Sequence, residues 1–215
     1  MYSLHPSSAL VELFRSAPFQ GVTPEDASFL FVGLDANYHP QIDTLPVFEK
    51  VLAYHSNGVK FWRQNKVHHP FLLPDYSGDG RFYHRSFAEI GFLPEHAELV
   101  SFMELLHVPT VGRSQLNADD LLFSHLERLN AAILGGSARH IFIPAGVARL
   151  MRSVGIFGWL PARPVKRLGA LSVLRQDEDR TVYSHLHFSV YGKFQEQKVA
   201  EAKEIRRLLS QVISV

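Results

Sequence analysis

Two short apolar runs constrain this fold more than any other feature. Residues 27–34 (ASFLFVGL) and 140–145 (HIFIPA) are almost continuously apolar, and each ends abruptly. Runs that short and that apolar suit strands buried on both faces, as in a parallel sheet. Residues 99–106 and the alternating segment 182–190 (VYSHLHFSV) read as further strands. Helical spacing fills the intervals. A short helix over 7–15 begins with a serine cap. Another covers 44–54 (Leu45, Phe48, Val51, Leu52), and a third runs over 81–91 with Phe82, Phe87 and Ile90 inward, closed by Gly91. Residues 119–134 form an amphipathic helix that stops at Gly135-Gly136, and a small helix follows the second apolar run to about 154. The closing helix, 196–213, sets Val199, Ala202, Ile205, Leu208, Leu209 and Val212 on one face. Strands alternating with helices predict an α/β protein, a three-layer α/β/α sandwich on a central, mainly parallel four-stranded sheet.

The 215 residues suffice for one sizeable core, and no repeat, low-complexity tract or linker divides them, so 1–215 is read as a single domain. With 22 Lys+Arg against 21 Asp+Glu, overall charge declares no polyanionic partner, and only local basic patches could serve one. There is no cysteine, which removes disulfides, thiolate metal sites and cysteine nucleophiles. The start of the chain lacks a basic segment followed by a long apolar core. No apolar run approaches the ~18–20 residues that a membrane-spanning helix needs. A cytoplasmic monomer without a membrane partner is expected. Residues 64–80 (QNKVHHPFLLPDYSGDG) form a long loop, and loops of that length are usually functional or mobile.

In parallel sheets ligands bind beyond the carboxyl ends of the strands. Asp35, Glu104, Pro144 and His187 should converge there. Two polar strand ends stand out, GLDANYH (33–39) and HLHFSVYG (185–192), and an acid at one with a histidine at the other suits acid/base or electrostatic work at one site. The plainer alternative makes Asp35 the cap of the next helix and the histidines ordinary core or surface groups. A third possibility is a metal hydrolase: His185 and His187 would share one side of a strand, with Asp35 and His39 completing the ligands.

Four segments, in order, resemble the uracil-DNA glycosylase superfamily. GLDANYH resembles its glycine-x-Asp/Asn motif after the first core strand, written GQDPYH in one branch and GINPG in another. His187-Phe188-Ser189 resembles the late His-Pro-Ser motif. HHPFLLPDYSGDGRFYHRSFAEIGF (68–92) is similar to the mismatch-specific branch, where a Pro-Phe pair precedes an aromatic-rich helix ending in Gly-Phe. LLHVPTVGRS (105–114) is similar to that branch's segment ending in Pro-Thr. The resemblance implies an enzyme that flips a modified or mismatched base out of DNA and hydrolyses its N-glycosidic bond, without metal or redox cofactor, leaving an abasic site; the altered motifs also fit a non-catalytic module of the same fold that only binds nucleic acid or a protein partner.

It also implies roles. Asp35 would orient or deprotonate the attacking water and stabilise positive charge on the sugar. His187 would hydrogen-bond the base O2. Gly33, Leu34 and Tyr38 would line the base pocket, and Phe71 would stack on the base. The segment from Ser189 to Lys193 would enter the minor groove with Tyr191 as wedge. Arg113, Ser114, Arg163, Lys166, Arg167 and Lys193 would meet phosphates.

Three positions depart from the pattern. Ala36-Asn37 stands where a proline normally follows the motif's acid, and Asn37 could supply a side-chain amide there. The late motif lacks its proline, and His185 offers a second register. Glu104 takes the place where many members read the base edge with Asn. An ionised Glu only accepts hydrogen bonds, whereas a raised pKa in a dry pocket would restore a donor. Ser101 and His107 are the alternatives for that place.

Overall fold

The computed structural model describes residues 2–112 and 115–214. Its elements are β1 (Ser3–Leu4), α1 (Ser8–Ser16), β2 (Phe19–Gly21), β3 (Phe29–Gly33), α2 (Phe48–Ser56), α3 (Gly58–Asn65), α4 (Arg81–Ala88), β4 (Val100–Glu104) and β5 (Thr110–Val111). There follow α5 (Phe123–Gly135), β6 (His140–Pro144), α6 (Ala145–Arg152), β7 (Lys166–Leu168), β8 (Leu171–Gln176), β9 (Thr181–His185) and α7 (Gln195–Ile213). The protein is of the α/β class.

Seven strands form one sheet in the order β2-β4-β3-β6-β9-β8-β7, while β1 pairs with β5 in a separate ribbon. The four middle strands β4, β3, β6 and β9 pair in parallel. Antiparallel strands extend them: β2 beside β4, then β8 and β7 beyond β9. The sheet is thus wider and more mixed than the four strands expected. The added strands carry little sequence signal: FQG and KRL are too short to show a period, and LSVLRQ alternates only weakly.

Alternation along the strands divides the interior in two. Leu30, Val32, Met103, Ile141 and Val182 face one core, covered by Leu126, Leu129 and Ile133 of α5 and by Val147 and Met151 of α6. Phe29, Phe31, Phe102, Phe142 and Tyr183 face the other, covered by Trp62 of α3, Phe87 of α4 and Ile205, Leu208 and Leu209 of α7. On this second face an aromatic row crosses all four parallel strands. Phe31 stacks on Phe102 (5.5 Å between centroids) and on Phe142 (4.8 Å), and Phe142 stacks on Tyr183 (5.0 Å). Such pairs contribute about 0.5–1.5 kcal/mol each beyond burial. They also fix register, since a slip of one residue would turn every ring to the opposite core. A third cluster, with Phe14, Tyr38, Val51, Phe71 and Tyr76, binds α1, α2 and the 70–76 loop to the end of β3.

Several local expectations need correction. Phe82 is 46% exposed and Val199 40%, so neither points inward. Helix α3 was not anticipated, and the 64–80 loop contains its last residues and a 3-10 turn, Pro70–Leu72. The strand over 182–190 ends at His185, because the Leu186 N–H leaves the sheet to bond the Glu201 carboxylate (2.7 Å). Among the described residues no helix is long and apolar enough to cross a membrane.

Candidate active site

A cavity of about 330 Å³ opens at the carboxyl ends of β3 and β4. Its floor follows from register. Gly33 lies opposite Glu104, two residues past the stacked pair Phe31 and Phe102, so both belong to the aromatic face of the sheet. The Glu104 carboxyl occupies the space over Gly33, where an added Cβ would collide with it. Burial pushes the Glu104 pKa up to about 8, and the neighbouring charge of Asp35 adds to the shift. At neutral pH Glu104 is therefore mostly a neutral acid, with one O–H donor and one carbonyl acceptor.

Asp35 caps no helix: the next helical turn, Ile42–Thr44, begins after Gln41. Residues 35–38 run instead beside β5. The Thr110 N–H donates to the Ala36 carbonyl (2.9 Å), and the Tyr38 N–H donates to the Thr110 carbonyl (3.0 Å). Side chains complete the junction. Thr110 Oγ1 donates to Asp35 Oδ2 at 2.5 Å, and Asn37 Nδ2 donates to Thr110 Oγ1 at 3.1 Å and to the Gly112 carbonyl. Asn37 lines the cavity, but its amide nitrogen acts on Asp35 through Thr110.

Aromatic rings form the walls. Tyr38 is buried with its hydroxyl 2.5 Å from His55 Nε2. Phe71 stacks on Tyr76 (4.1 Å, 10°) and meets Tyr38 edge-on. Tyr83, Gly80, His69 and His84 complete the lining, with Gly80 and His69 lying against Phe71. The His69 and His84 rings stack at 3.4 Å and 5°. Burial, together with the neighbouring histidines, holds both pKa values well below the ordinary range, so the stack is neutral at pH 7.

His187 lies at the rim. The Ser189 N–H donates to its Nδ1 (3.3 Å), and the Ser189 hydroxyl also contacts Nδ1 (2.5 Å). A backbone N–H can only donate, so Nδ1 is the acceptor and the proton of the neutral ring sits on Nε2. Burial lowers the His187 pKa, with Asp35 opposing, which leaves a neutral donor at physiological pH. His185 is elsewhere, packed among Phe31, Phe142 and Phe188, with its pKa lowered to about 3 by burial.

The cavity gathers Gly33, Leu34, Asp35, Asn37, Tyr38, Phe71, Glu104, His187 and Ser189 from four separate stretches of chain. It is not lined by Ser101, His107 or His185. Pro144 does not line it either, but stands at the start of α6. Tyr191 (77% exposed) and Lys193 project from the segment beyond the rim. Lys166 and Arg167 lie on edge strand β7, with Arg163 just before it, and β8 and β9 separate that edge from β6. Arg113 and Ser114 fall outside the described residues. Among the described residues no three His, Asp or Glu side chains are grouped to hold a metal, so Asp35, His39, His185 and His187 do not surround one point.

Gln20, Tyr83, His69 and His84 also line the cavity, and no local sequence signal marks them. The two histidines sit in the HHPF and FYHR stretches that carried the resemblance, but only folding brings their rings together. The chain matches no protein-family model and no curated protein.

Proposed function

We propose that this protein is a DNA glycosylase-like hydrolase that accepts an extruded, modified base and cleaves its N-glycosidic bond with water. The observation that carries the reading is the cavity itself: it sets one carboxylate, one neutral imidazole donor and two aromatic walls around a space suited to a single heterocycle. Asp35 takes a proton from the attacking water, or orients it, as the water oxygen bonds to the sugar C1′. The electron pair of the breaking C1′–N bond goes to the base. His187 Nε2–H donates to the carbonyl oxygen where that charge gathers. Glu104 reads the base edge, with Tyr38 and Phe71 as walls. Phe71 is only 2% exposed and has one ring face covered by Tyr76, so it contributes a small patch of wall rather than a free stacking face.

In this reading the segment from Ser189 to Lys193 meets DNA, with Tyr191 as the wedge. The adjacent parallel strands, with cores on both faces, support reading the sheet as the centre of a three-layer sandwich. Lys166 and Arg167 sit on the far edge of the sheet, which favours the rim segment over the β7 edge for strand contacts.

The test is base release from labelled single- and double-stranded oligonucleotides carrying uracil, hypoxanthine, xanthine or a G·T mismatch, with chelator present and abasic sites revealed by alkali. Release that falls by about 10²–10⁴-fold in Asp35→Asn, and clearly in His187→Ala, is the expected result. Folded protein that releases no base from any substrate would refute the reading.

A further inference from the structure

We infer that Gln20 is a specificity-determining residue of this cavity, its side-chain amide donating a hydrogen bond to a carbonyl oxygen of the bound heterocycle. The inference deepens the glycosylase reading and rests on it for the nature of that heterocycle.

Gln20 is the central residue of β2 and lies opposite Phe102 on β4. Glu104 is two residues further along β4, so Gln20 and Glu104 are diagonal neighbours on the same face of the sheet. Both line the cavity. Gln20 is only 8% exposed, and its Nε2 is buried without a hydrogen-bond partner among the described residues. An unpaired buried amide donor is costly, and native proteins rarely keep one without a use. Three other buried side-chain nitrogens share that condition, Nδ1 of His55, His107 and His185. Each belongs to an imidazole, which when neutral carries a proton on one nitrogen only. The Gln20 nitrogen can only donate, and of the four residues Gln20 alone lines the cavity.

A donor at this place selects among ligand edges. With Glu104 neutral, the floor offers the Glu104 O–H donor, its carbonyl acceptor and the Gln20 donor. That set matches a ring N–H beside carbonyl oxygens. With His187 at O2, the Gln20 donor meets O4, and an amino group at that place, as in cytosine, would set N–H against N–H.

The experiment pairs Gln20→Leu with single-atom changes in the base. Oligonucleotides carrying uracil, 2-thiouracil or 4-thiouracil are compared in the wild type and the variant. Sulfur is the weaker acceptor, so both thio substrates should lose activity with the wild type, 2-thiouracil through His187 and 4-thiouracil by about ten-fold in kcat/KM through Gln20. Gln20→Leu should lose about as much on uracil and nothing further on 4-thiouracil. Its melting temperature should stay level or rise, since an unpaired amide has been removed. In parallel, the Gln20 side-chain amide NMR signal, identified by its absence in Gln20→Leu, should move on addition of free uracil and stay still with cytosine. Base release without sulfur coupling, and with an unmoved amide signal, overturns the role of Gln20 and spares the glycosylase reading. A moving amide signal without base release supports Gln20 as a carbonyl reader and refutes the glycosylase reading. Neither response refutes both.

Discussion

Thr110 Oγ1 donates a 2.5 Å hydrogen bond to Asp35 Oδ2, so the acid at the end of β3 is held by a residue 75 positions later in the chain. The hydroxyl has one proton, which goes to Asp35, and its lone pairs receive the Asn37 amide at 3.1 Å. This relay explains why an apolar strand ends in Asp35-Ala36-Asn37: the polar residues tie the strand end to β5. Thr110 is fully buried, so Thr110→Val keeps the bulk and removes only the relay. The expected result is a fall of about ten-fold in kcat with KM little changed, well short of the Asp35→Asn loss. An unchanged kcat would show that the relay does not position Asp35.

Gly33 has an ordinary backbone conformation but no room for a side chain, because the Glu104 carboxyl fills the space above it. Gly33→Ala must push that carboxyl aside. Overpacking of this kind costs roughly 1–3 kcal/mol of stability. If Glu104 reads the base as proposed, base release should fall more than stability alone explains, since its carboxyl is displaced. Thermal melting and single-turnover release measured on the same preparation separate the two effects.

The features legible in the chain are those with strong local signals. β3 and β6 stand out because strands buried on both faces are uniformly apolar, and Asp35 and His187 stand out because polar residues interrupt such segments. The edge strand FQG offers three residues and no period, so Gln20 could not be placed beside Glu104 without the antiparallel register of β2. The His69 and His84 stack joins a loop to a helix and has no signature in either. The neutral state of Glu104 arises from burial and from Asp35, neither of which spacing reveals. Phe82 and Val199 fit helical periodicity, yet they face outward, since periodicity names a stripe without saying what covers it.

The rim segment is held from behind by α7. Lys198 Nζ donates to the Val190 carbonyl (3.2 Å) and to Ser86 Oγ (3.0 Å), while Glu201 Oε2 accepts from the Leu186 N–H (2.7 Å). These two residues, one helical turn apart, grip both ends of the stretch that presents His187 and Ser189. Neither lines the cavity. Lys198→Met keeps the stem and takes the donor from the buried Ser86 hydroxyl and the half-buried Val190 carbonyl, at a cost of about 1–3 kcal/mol. Faster amide exchange confined to residues 186–190, with a lower kcat, would identify Lys198 as a positioning residue. A lower melting temperature alone would mark it as merely structural.

Glu104 links stability and activity to pH in one direction. In the unfolded chain its carboxyl titrates near the ordinary 4.5, whereas in the fold burial raises it to about 8. Between these values the folded state binds the extra proton, so this group's contribution to stability is full below the lower pKa. It declines as pH rises through 8, by at most about 1.4 kcal/mol per pH unit. Glu104→Gln keeps one donor and one acceptor and cannot ionise, so its melting temperature should lose less than that of the wild type between pH 5 and 9. On the proposed glycosylase reading, the same proton governs how Glu104 meets a base edge. Above about pH 8 the wild-type carboxylate offers only acceptors, and release of a base with an N–H beside a carbonyl should decline. Glu104→Gln should lack that alkaline limb. If both proteins lose activity in parallel above pH 8, the limb belongs to another group, and Glu104 does not read the base through its proton.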